Sequence, residues 1–133
     1  MRRYLLDMNI LADLIRHPQG QIAARIGQVG EATICTSIIV AAELRFGAAT
    51  SGSARLRAQM DAVLGVVDIL PFETPADAVY GDIRTRLERA GTPIGGNDLL
   101  IAAQAKALGF TVVTDNERGF GRVEGLDVEN WLR

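Results

Sequence analysis

Four carboxylates in this sequence stand where a parallel α/β sheet would bring them together. Asp7 and Asp115 each follow an apolar run that is typical of a buried strand. Glu43 and Asp98 lie on predicted helices whose apolar faces look toward the sheet. Because the carboxyl ends of parallel strands form one ligand-binding edge, acids gathered there repel one another unless a cation joins them. Oxygen ligands without His or Cys suit Mg²⁺ or Mn²⁺, and such a site suits phosphodiester hydrolysis.

Each of these acids also has a structural interpretation that involves no metal. Asp7 can cap the helix that follows it, and Asp98 can be an N-cap or a first-turn acid that the helix dipole favours. Glu43 can be an exposed acid at the border of an apolar stripe, paired with an arginine. Asp115 can start a turn together with Asn116. Each acid alone is therefore weak evidence, and the hypothesis depends on all of them meeting.

Composition narrows the chemistry further. His17 is the only histidine and Cys35 the only cysteine, so an imidazole acid–base pair, a zinc cluster and a disulfide framework are all excluded. The formal charge of −2 does not predict nucleic-acid binding by bulk charge, although all basic residues except Lys106 are arginine, which suits local phosphate contacts. Any catalysis must depend on carboxylates.

The length and hydropathy indicate one ordinary domain. A chain of 133 residues buries roughly 68% of the surface that its unfolded form exposes, so one packed core is expected over 1–133. No apolar run approaches the ~18 residues of a membrane span. Arg2-Arg3 is followed by a short apolar run that Asp7 interrupts, which does not support a signal peptide, and we expect a cytoplasmic protein.

The pattern of apolar residues predicts strands that alternate with helices. The predicted strands are Tyr4 to Leu6, Ala32 to Thr36, Val66 to Leu70, Phe110 to Thr114 and a short strand or edge within Leu126 to Trp131. The predicted helices are Ile10 to Ile15, Pro18 to Ile26, a Ser37-capped helix to Ala49, Ala54 to Leu64, a helix capped by Thr74 that reaches Ala90, and one from Asn97-Asp98 to Leu108. This alternation predicts an α/β/α sandwich around a parallel sheet.

Two of the predicted helices carry candidate site residues. On the Ser37-capped helix, Ile39, Ala42, Glu43 and Phe46 recur at helical spacing, which predicts an acid within an apolar face. On the later helix, Asp98 shares its stripe with Ile101, Ala102 and Ala105, so we expect its side chain to face the sheet. Residues 115–125 are glycine-rich and are predicted to be a connection without regular structure.

Several segments together resemble the PIN-domain ribonucleases, specifically the VapC toxins of type II toxin–antitoxin systems. The segments are 5–10 (LLDMNI), 42–47 (AELRFG), 92–103 (TPIGGNDLLIAA) and 113–116 (VTDN), and the tail from Phe120 to Trp131 is similar to the usual ending of that family. A single Asp after a strand is unspecific. The order and spacing of these motifs across nearly the whole chain are highly specific.

The resemblance implies a five-stranded parallel sheet, a Mg²⁺-dependent endoribonuclease site in which Mn²⁺ can substitute, and a VapB-like antitoxin. Asp7, Glu43 and Asp98 match the acids of the family. Two positions depart from its pattern. Met8 stands where most relatives have Thr or Ser, which removes a hydroxyl from the metal's outer shell. Asn116 stands where the fourth acid is most common, so Asp115, one residue earlier, is expected to be a weaker ligand.

The sequence therefore predicts metal-dependent cleavage of structured RNA, with tRNA and ribosomal RNA both open as substrates. Asp7, Glu43, Asp98 and Asp115 are the candidate catalytic and metal-binding residues, supported by Asn9 and Asn116. A homodimer that also binds an antitoxin is expected. Apolar helix surface around Ile10 to Ile15 and Ile38 to Phe46 is the candidate interface, and the antitoxin is expected to place a basic side chain among the carboxylates.

Three other functions fit parts of the pattern. A phosphatase with an aspartyl nucleophile would need a second acid two residues after Asp7, where Asn9 stands. A phospho-accepting receiver domain would need a lysine after a late strand, but Lys106 is predicted within a helix. A PIN fold that has lost catalysis and serves only as a binding partner is favoured by Met8. Metal-dependent cleavage of RNA separates the nuclease from the last of these.

Overall fold

The sheet that forms the centre of the molecule has five strands, all parallel. The computed structural model describes residues 2–133. Its strands are β1 (Tyr4–Leu6), β2 (Ile34–Ser37), β3 (Asp68–Leu70), β4 (Thr111–Val113) and β5 (Val128–Glu129), in the spatial order β3-β2-β1-β4-β5. Helices flank this sheet, so the predicted α/β/α sandwich with a five-stranded parallel sheet is confirmed.

Seven α-helices connect and cover the strands in the described part of the chain. They are α1 (Met8–Arg16), α2 (Gln21–Val29), α3 (Ile38–Ser51), α4 (Ala54–Leu64), α5 (Ala76–Arg89), α6 (Gly96–Leu108) and α7 (Glu117–Phe120), and a 3₁₀ turn at Glu31–Thr33 precedes β2. None of the helices within residues 2–133 has the length and apolarity that a membrane crossing needs.

The first strand occupies the middle of the sheet because its side chains are apolar on both faces. Leu5 and Leu6 are fully buried, as expected for a strand covered by helices on each side. β1 pairs with β2 on one side and with β4 on the other, and Leu6 lies opposite Val113. The Asp7 N–H then donates to the Val113 carbonyl at 2.9 Å, which keeps Asp7 against the end of β4. The central position of β1 therefore places Asp7 at the middle of the carboxyl edge.

The buried face of α3 differs from the predicted one. We expected Ile39, Ala42 and Phe46 to share an inward stripe with Glu43, but Ala42 and Phe46 are exposed, Phe46 by 73%. The buried residues are Val40, Ala41, Leu44 and Ala48. α3 is apolar on most of its circumference, so spacing alone did not distinguish the face that packs on the sheet from its neighbour. Glu43 lies at the border between the two faces and is half-buried.

Two helix starts also differ from prediction. α5 begins at Ala76, with Pro75 in the cap position and no capping side chain, so Thr74 is not the N-cap and Pro75 is not the first helical residue. α2 begins at Gln21, not at Pro18, and it continues past Ile26 through Gly27 to Val29, with Gly30 as its C-cap. A lone glycine costs a helix only about 1 kcal/mol, which packing of Ile22 and Ile26 offsets.

The glycine-rich connection after β4 contains a short helix that the sequence pattern did not predict. Asn116 caps α7 by accepting the Gly119 N–H through Oδ1 at 3.1 Å. A Cβ at Gly119 would lie 2.6 Å from Asn116 Nδ2, so a larger residue there would displace the Asn116 side chain. Phe120, also in α7, is fully buried in the core. The segment that follows the fourth strand is thereby held in one conformation beside the carboxyl edge.

Candidate active site

Asp7 is buried at the carboxyl edge of the central strand. Its side chain is only 4% exposed, Oδ1 accepts the Met8 N–H at 2.8 Å, and Oδ2 accepts the Thr114 hydroxyl at 2.7 Å. Desolvation by burial raises the pKa of Asp7, and the charge of Asp98 raises it further, while the bonds from Thr114 and Met8 lower it. Asp7 therefore caps α1, and its ionised form is destabilised by burial and by the charge of Asp98.

Thr114 connects two of the predicted site residues. This residue is fully buried just after β4, where its hydroxyl donates to Asp7 and accepts the Asn116 N–H at 2.9 Å. The side-chain amide of Asn116 in turn donates to Asp98 Oδ2 at 2.9 Å. A continuous series of hydrogen bonds thus runs from Asp7 through Thr114 and Asn116 to Asp98, and it fixes the two acids relative to each other.

Asp98 lies in the first turn of α6, and its side chain does not cap that helix. Gly95 occupies the cap position and no side chain bonds the free N–H groups, so the N-cap interpretation of Asp98 is wrong. The predicted stripe is confirmed, because Ile101, Ala102 and Ala105 are fully buried beneath it. Asp98 is therefore directed toward the sheet edge, where its carboxylate meets Asn116.

Glu43 approaches the same place from α3. Burial raises the pKa of Glu43, and the charges of Asp7 and Asp98 raise it further, whereas the nearby Asn97 amide acts in the opposite direction. Its Oε1 atom is buried and has no hydrogen-bond partner in the described part of the chain. Three of the four predicted acids therefore act on one another electrostatically at one edge of the sheet.

Asp115 is not part of this group of interacting charges. Its side chain is exposed and accepts a hydrogen bond of 3.3 Å from Asn130 Nδ2, and it contributes nothing to the raised pKa of Asp7 or Glu43. Asn116 occupies the position beside Asp98 instead. Asn9, the other predicted supporting residue, is exposed in the first turn of α1.

The carboxylates fit a hydrated divalent cation. Buried polar atoms in proteins almost always have a partner, so the unsatisfied Glu43 Oε1 indicates a place for a cation or a water bound to one. Within residues 2–133, no three acidic, His or Cys side chains are close enough to enclose an ion as they stand. Mg²⁺ is usually bound through one or two carboxylates and keeps several waters. This donor set is therefore compatible with Mg²⁺ and unsuited to zinc.

An apolar groove adjoins the carboxylates. It has a volume of about 310 Å³ and lies between α1, α3 and α4, and we call it the α1–α3–α4 groove. Its lining includes Met8, Ala12, Leu44, Gly47 and Met60, with Glu43 and Arg16 as its charged residues. Met8, which replaces the family's usual hydroxyl, thus directs its side chain into apolar surroundings while its backbone N–H supports Asp7.

Comparison with known proteins agrees with this geometry. The PIN domain family model matches residues 4–126. Ribonuclease VapC2 of Rickettsia felis is 38% identical over 130 residues, which cover 96% of this chain and 97% of that protein. The chain belongs to the VapC ribonucleases of the PIN-domain family. The resemblance carried by the sequence motifs is confirmed.

Other VapC relatives are similar over their full length. A tRNA(fMet)-specific endonuclease VapC of Shigella flexneri is 33% identical over 132 residues, covering 98% of this chain and 99% of that protein. The crystal structure of VapBC2 from Rickettsia felis, bound to a DNA fragment from their promoter, contains a chain that matches with a TM-score of 0.90 at 34% identity, covering 96% of this chain and 98% of that one.

Knowledge of the PIN fold does not by itself supply all residues of the site. Sequence reasoning missed Thr114 and Asn97, and it treated Asn116 only as a supporting residue. The available signal for Thr114 was a hydroxyl directly before Asp115 at the end of a strand. The receiver interpretation needs a lysine at the acidic site, but Lys106 lies in the last turn of α6 and its Nζ donates to the Glu124 carbonyl at 2.8 Å.

Proposed function

We propose that this chain is a metal-dependent endoribonuclease that acts as the toxin of a toxin–antitoxin pair and cleaves structured cellular RNA, with tRNA favoured over ribosomal RNA. One observation supports the proposal: Asp7, Glu43 and Asp98 lie near one another at the carboxyl edge of the sheet, where burial and then the charge of Asp98 raise the pKa of Asp7 and of Glu43. The full-length similarity to a tRNA(fMet)-specific endonuclease supports tRNA as the substrate class. We also propose that the chain is a single PIN domain over 1–133 that works in the cytoplasm.

The proposed cofactor is Mg²⁺, for which Mn²⁺ can substitute. Asp7, Glu43 and Asp98 would hold it. When bound, such an ion supplies charge stabilisation for the phosphodiester and an acidified water. Asp115 is proposed as a peripheral acid that acts through water, because its carboxylate lies with Asn130. The raised pKa values of Asp7 and Glu43 support a cation, since a divalent charge would offset both the burial of these carboxylates and the repulsion between them.

The protein residues around the cluster have separate tasks in this proposal. Thr114 and the Met8 N–H keep both oxygens of Asp7 oriented, and Asn116 does the same for one oxygen of Asp98. Glu43 Oε1 is buried and has no donor in the described part of the chain, so we propose that it accepts a hydrogen bond from a water that enters with the cation. Asp7 and Asp98 remain alternatives for orienting that water.

The α1–α3–α4 groove is proposed as the binding site of a VapB-like antitoxin. Similar solved structures include VapBC complexes, among them that of Salmonella typhimurium bound to DNA. An apolar antitoxin segment would fill the groove between Ala12, Leu44 and Met60, and a basic side chain on it would reach Glu43. Part of the interface expected from sequence is unavailable, because Ile10 and Leu11 are fully buried in the core.

A homodimer remains part of the proposal. Ile38 and Phe46 on α3 are exposed by 46% and 73%, which is costly for large apolar side chains without a partner. A second copy is proposed to cover them. Sedimentation of the purified protein at micromolar concentration tests this, and a strictly monomeric protein would count against it.

The central test is cleavage by purified, antitoxin-free protein. Bulk tRNA, a transcribed initiator tRNA and ribosomal RNA are each incubated with Mg²⁺, with Mn²⁺ and with EDTA, beside the Asp98→Asn variant. We expect ion-dependent cuts at defined positions in tRNA that the variant does not make. Intact RNA with both ions would contradict the nuclease function, and a loss of thermal stabilisation by Mg²⁺ in the variant would still report on the metal site.

A further inference from the structure

A second groove lies beside Asn116, the residue that donates to Asp98, and arginines line it. It has a volume of about 220 Å³ and is bounded by the loop that leads into α6 and by α7 with the residues directly after it. Arg118 and Arg122 are its charged residues, and Asn116 forms its inner end. We call it the Arg118–Arg122 groove.

We propose that the Arg118–Arg122 groove binds the sugar–phosphate backbone of the RNA beside the scissile phosphate. This proposal rests on the nuclease function proposed above and adds the residues that hold the substrate. Asn116 belongs to both places, because its amide donates to Asp98 and its side chain lines the groove. Nucleic acid that follows the groove would therefore lead directly to the carboxylates.

The two arginines are available for phosphate. Neither forms an ion pair with an acidic group anywhere in residues 2–133, whereas Arg84, Arg86 and Arg133 are paired. Arg118 is exposed on α7. Arg122 is partly held in position, since its Nη1 donates to the Pro93 carbonyl at 2.9 Å and leaves other N–H groups of the guanidinium free. A guanidinium presents several donors in a fixed plane, a geometry that matches phosphate oxygens.

The segment that carries these arginines is also rigidly attached. Glu117 of α7 accepts hydrogen bonds or ion-pair contacts from Asn130 at 3.0 Å and from Arg133 at 2.9 Å. Asn116 caps the helix, and Phe120 fixes it in the core. Because α7 is held in place, the backbone at Arg118 is already ordered, and less conformational entropy is lost when the side chain binds phosphate.

The negative charge of the protein and of its site explains why RNA binding would need arginines in this groove. The chain has a net charge of −2, and three interacting carboxylates form its reaction site, so an RNA backbone is repelled where it must approach. A cation offsets this repulsion only at the scissile phosphate. Two unpaired arginines next to the cluster would offset it for a flanking phosphate.

A charge series at Arg118 tests the groove. Arg118→Lys, Arg118→Ala and Arg118→Glu are compared with Arg2→Ala, an exposed arginine at the opposite, amino-terminal end of β1. Binding of fluorescently labelled tRNA is measured by anisotropy in Mg²⁺, with every chain also carrying Asp98→Asn so that the RNA stays intact. We expect Kd to rise about fivefold to tenfold for Ala, more for Glu and little for Lys.

Salt dependence distinguishes a phosphate contact from a loss of structure. The Arg118→Ala/Arg122→Ala protein should show a shallower dependence of log Kd on log salt, by about 0.7 to 0.9 for each contact removed. When Asp98 is retained, the Arg118→Ala/Arg122→Ala protein should cleave RNA with a raised KM and a nearly unchanged kcat. A misfolded protein would instead lower the melting temperature and would not follow the charge order at Arg118.

Equal tRNA affinity and equal salt slopes across the series would overturn the groove while leaving the nuclease proposal intact. Unchanged RNA binding with weakened antitoxin binding would also overturn it, in favour of a protein partner. If wild type cleaves no RNA but tRNA binding still follows the charge at Arg118, the groove is supported and the nuclease function alone fails.

Discussion

The side-chain amide of Asn116 lies 2.9 Å from Asp98 Oδ2 and donates a hydrogen bond to it. Asn116 is an uncharged residue at the position where the VapC family most often has its fourth acid. The structure thus contains a donor that stabilises an ionised Asp98, where another carboxylate would repel it. Without metal, the site should therefore destabilise the fold less than it would with a fourth carboxylate at position 116.

Asn116→Asp should lower the stability of the metal-free protein and raise its affinity for metal. An aspartate keeps the cap on the Gly119 N–H but replaces the donor to Asp98 with a negative charge. We expect the metal-free protein to lose roughly 1–3 kcal/mol of unfolding free energy, and Mg²⁺ to stabilise the variant more than wild type. Thermal unfolding over a Mg²⁺ titration measures both effects. Equal melting temperatures for both proteins in EDTA would contradict the role given to Asn116.

Asp98→Asn should separate a metal ligand from a scaffold residue. The variant retains an oxygen that can accept the Asn116 hydrogen bond, and it removes a charge that raises the pKa of Asp7 and Glu43. We expect an unchanged or higher melting temperature in EDTA, no stabilisation by Mg²⁺, and a loss of cleavage of roughly 100-fold or more. Retention of wild-type cleavage and metal response would refute the assignment.

Asp7→Asn and Asp115→Asn should affect cleavage to different extents, strongly at Asp7 and mildly at Asp115. Both oxygens of Asp7 accept hydrogen bonds, so an amide there leaves the donor of Met8 or Thr114 without an acceptor. We therefore expect Asp7→Asn to abolish cleavage and also to gain less stability than Asp98→Asn. Asp115→Asn should affect cleavage only mildly, because the side chain is exposed and lies with Asn130. A complete loss of cleavage in Asp115→Asn would show that this residue binds the metal directly.

Thr114→Val should weaken the site through one buried hydroxyl. Valine has nearly the same shape but cannot donate to Asp7 or accept the Asn116 N–H. We expect a loss of about 1–3 kcal/mol in unfolding free energy and a large decrease in cleavage, with Thr114→Ser close to wild type. Chemical denaturation and initial cleavage rates measure the two effects. Equal behaviour of the Val and Ser variants would contradict a role for the hydroxyl.

The pH dependence of stability should reveal the raised pKa values of Asp7 and Glu43. A carboxyl whose pKa is higher in the folded than in the unfolded chain binds protons more strongly when folded. Its ionisation therefore destabilises the fold above the raised pKa, and this cost vanishes as the pH falls to the unfolded value of about 4. Without metal, wild type should gain more stability than Glu43→Gln on acidification through that window. At neutral pH, Mg²⁺ should remove the difference in stability between wild type and Glu43→Gln, because the ion binds the ionised carboxylates of wild type.

Gly47→Leu should free the nuclease from its antitoxin. Gly47 lines the α1–α3–α4 groove and has open space around its missing side chain, so a leucine would occupy the room that a partner needs. Gly81→Leu on α5 is the matched control, since it also has open space and gains similar helix propensity, about 1 kcal/mol or less. We expect only Gly47→Leu to resist inhibition by the antitoxin in a cleavage assay. Equal inhibition of both variants would place the antitoxin elsewhere.

Much of the fold followed from local patterns in the sequence. The consecutive buried leucines of β1, the Ser37 cap and the apolar stripe below Asp98 each depend on neighbours within a few residues. Alternation of strands and helices then left a parallel sheet as the arrangement that buries them, which placed the ends of β1 and β4 together. The meeting of Asp7 and Asp98 was therefore predictable.

Only the tertiary structure decided how those acids are held and which side chains complete the site. α3 is apolar on most sides, so its contact with the sheet, and not its own spacing, selected Val40 and Leu44 as the buried face. Asp115 and Asn116 are adjacent in the chain, yet capping of α7 directs Asn116 to Asp98 and leaves Asp115 with Asn130. Such choices depend on hydrogen bonds and packing between residues far apart in sequence, for which no local pattern exists.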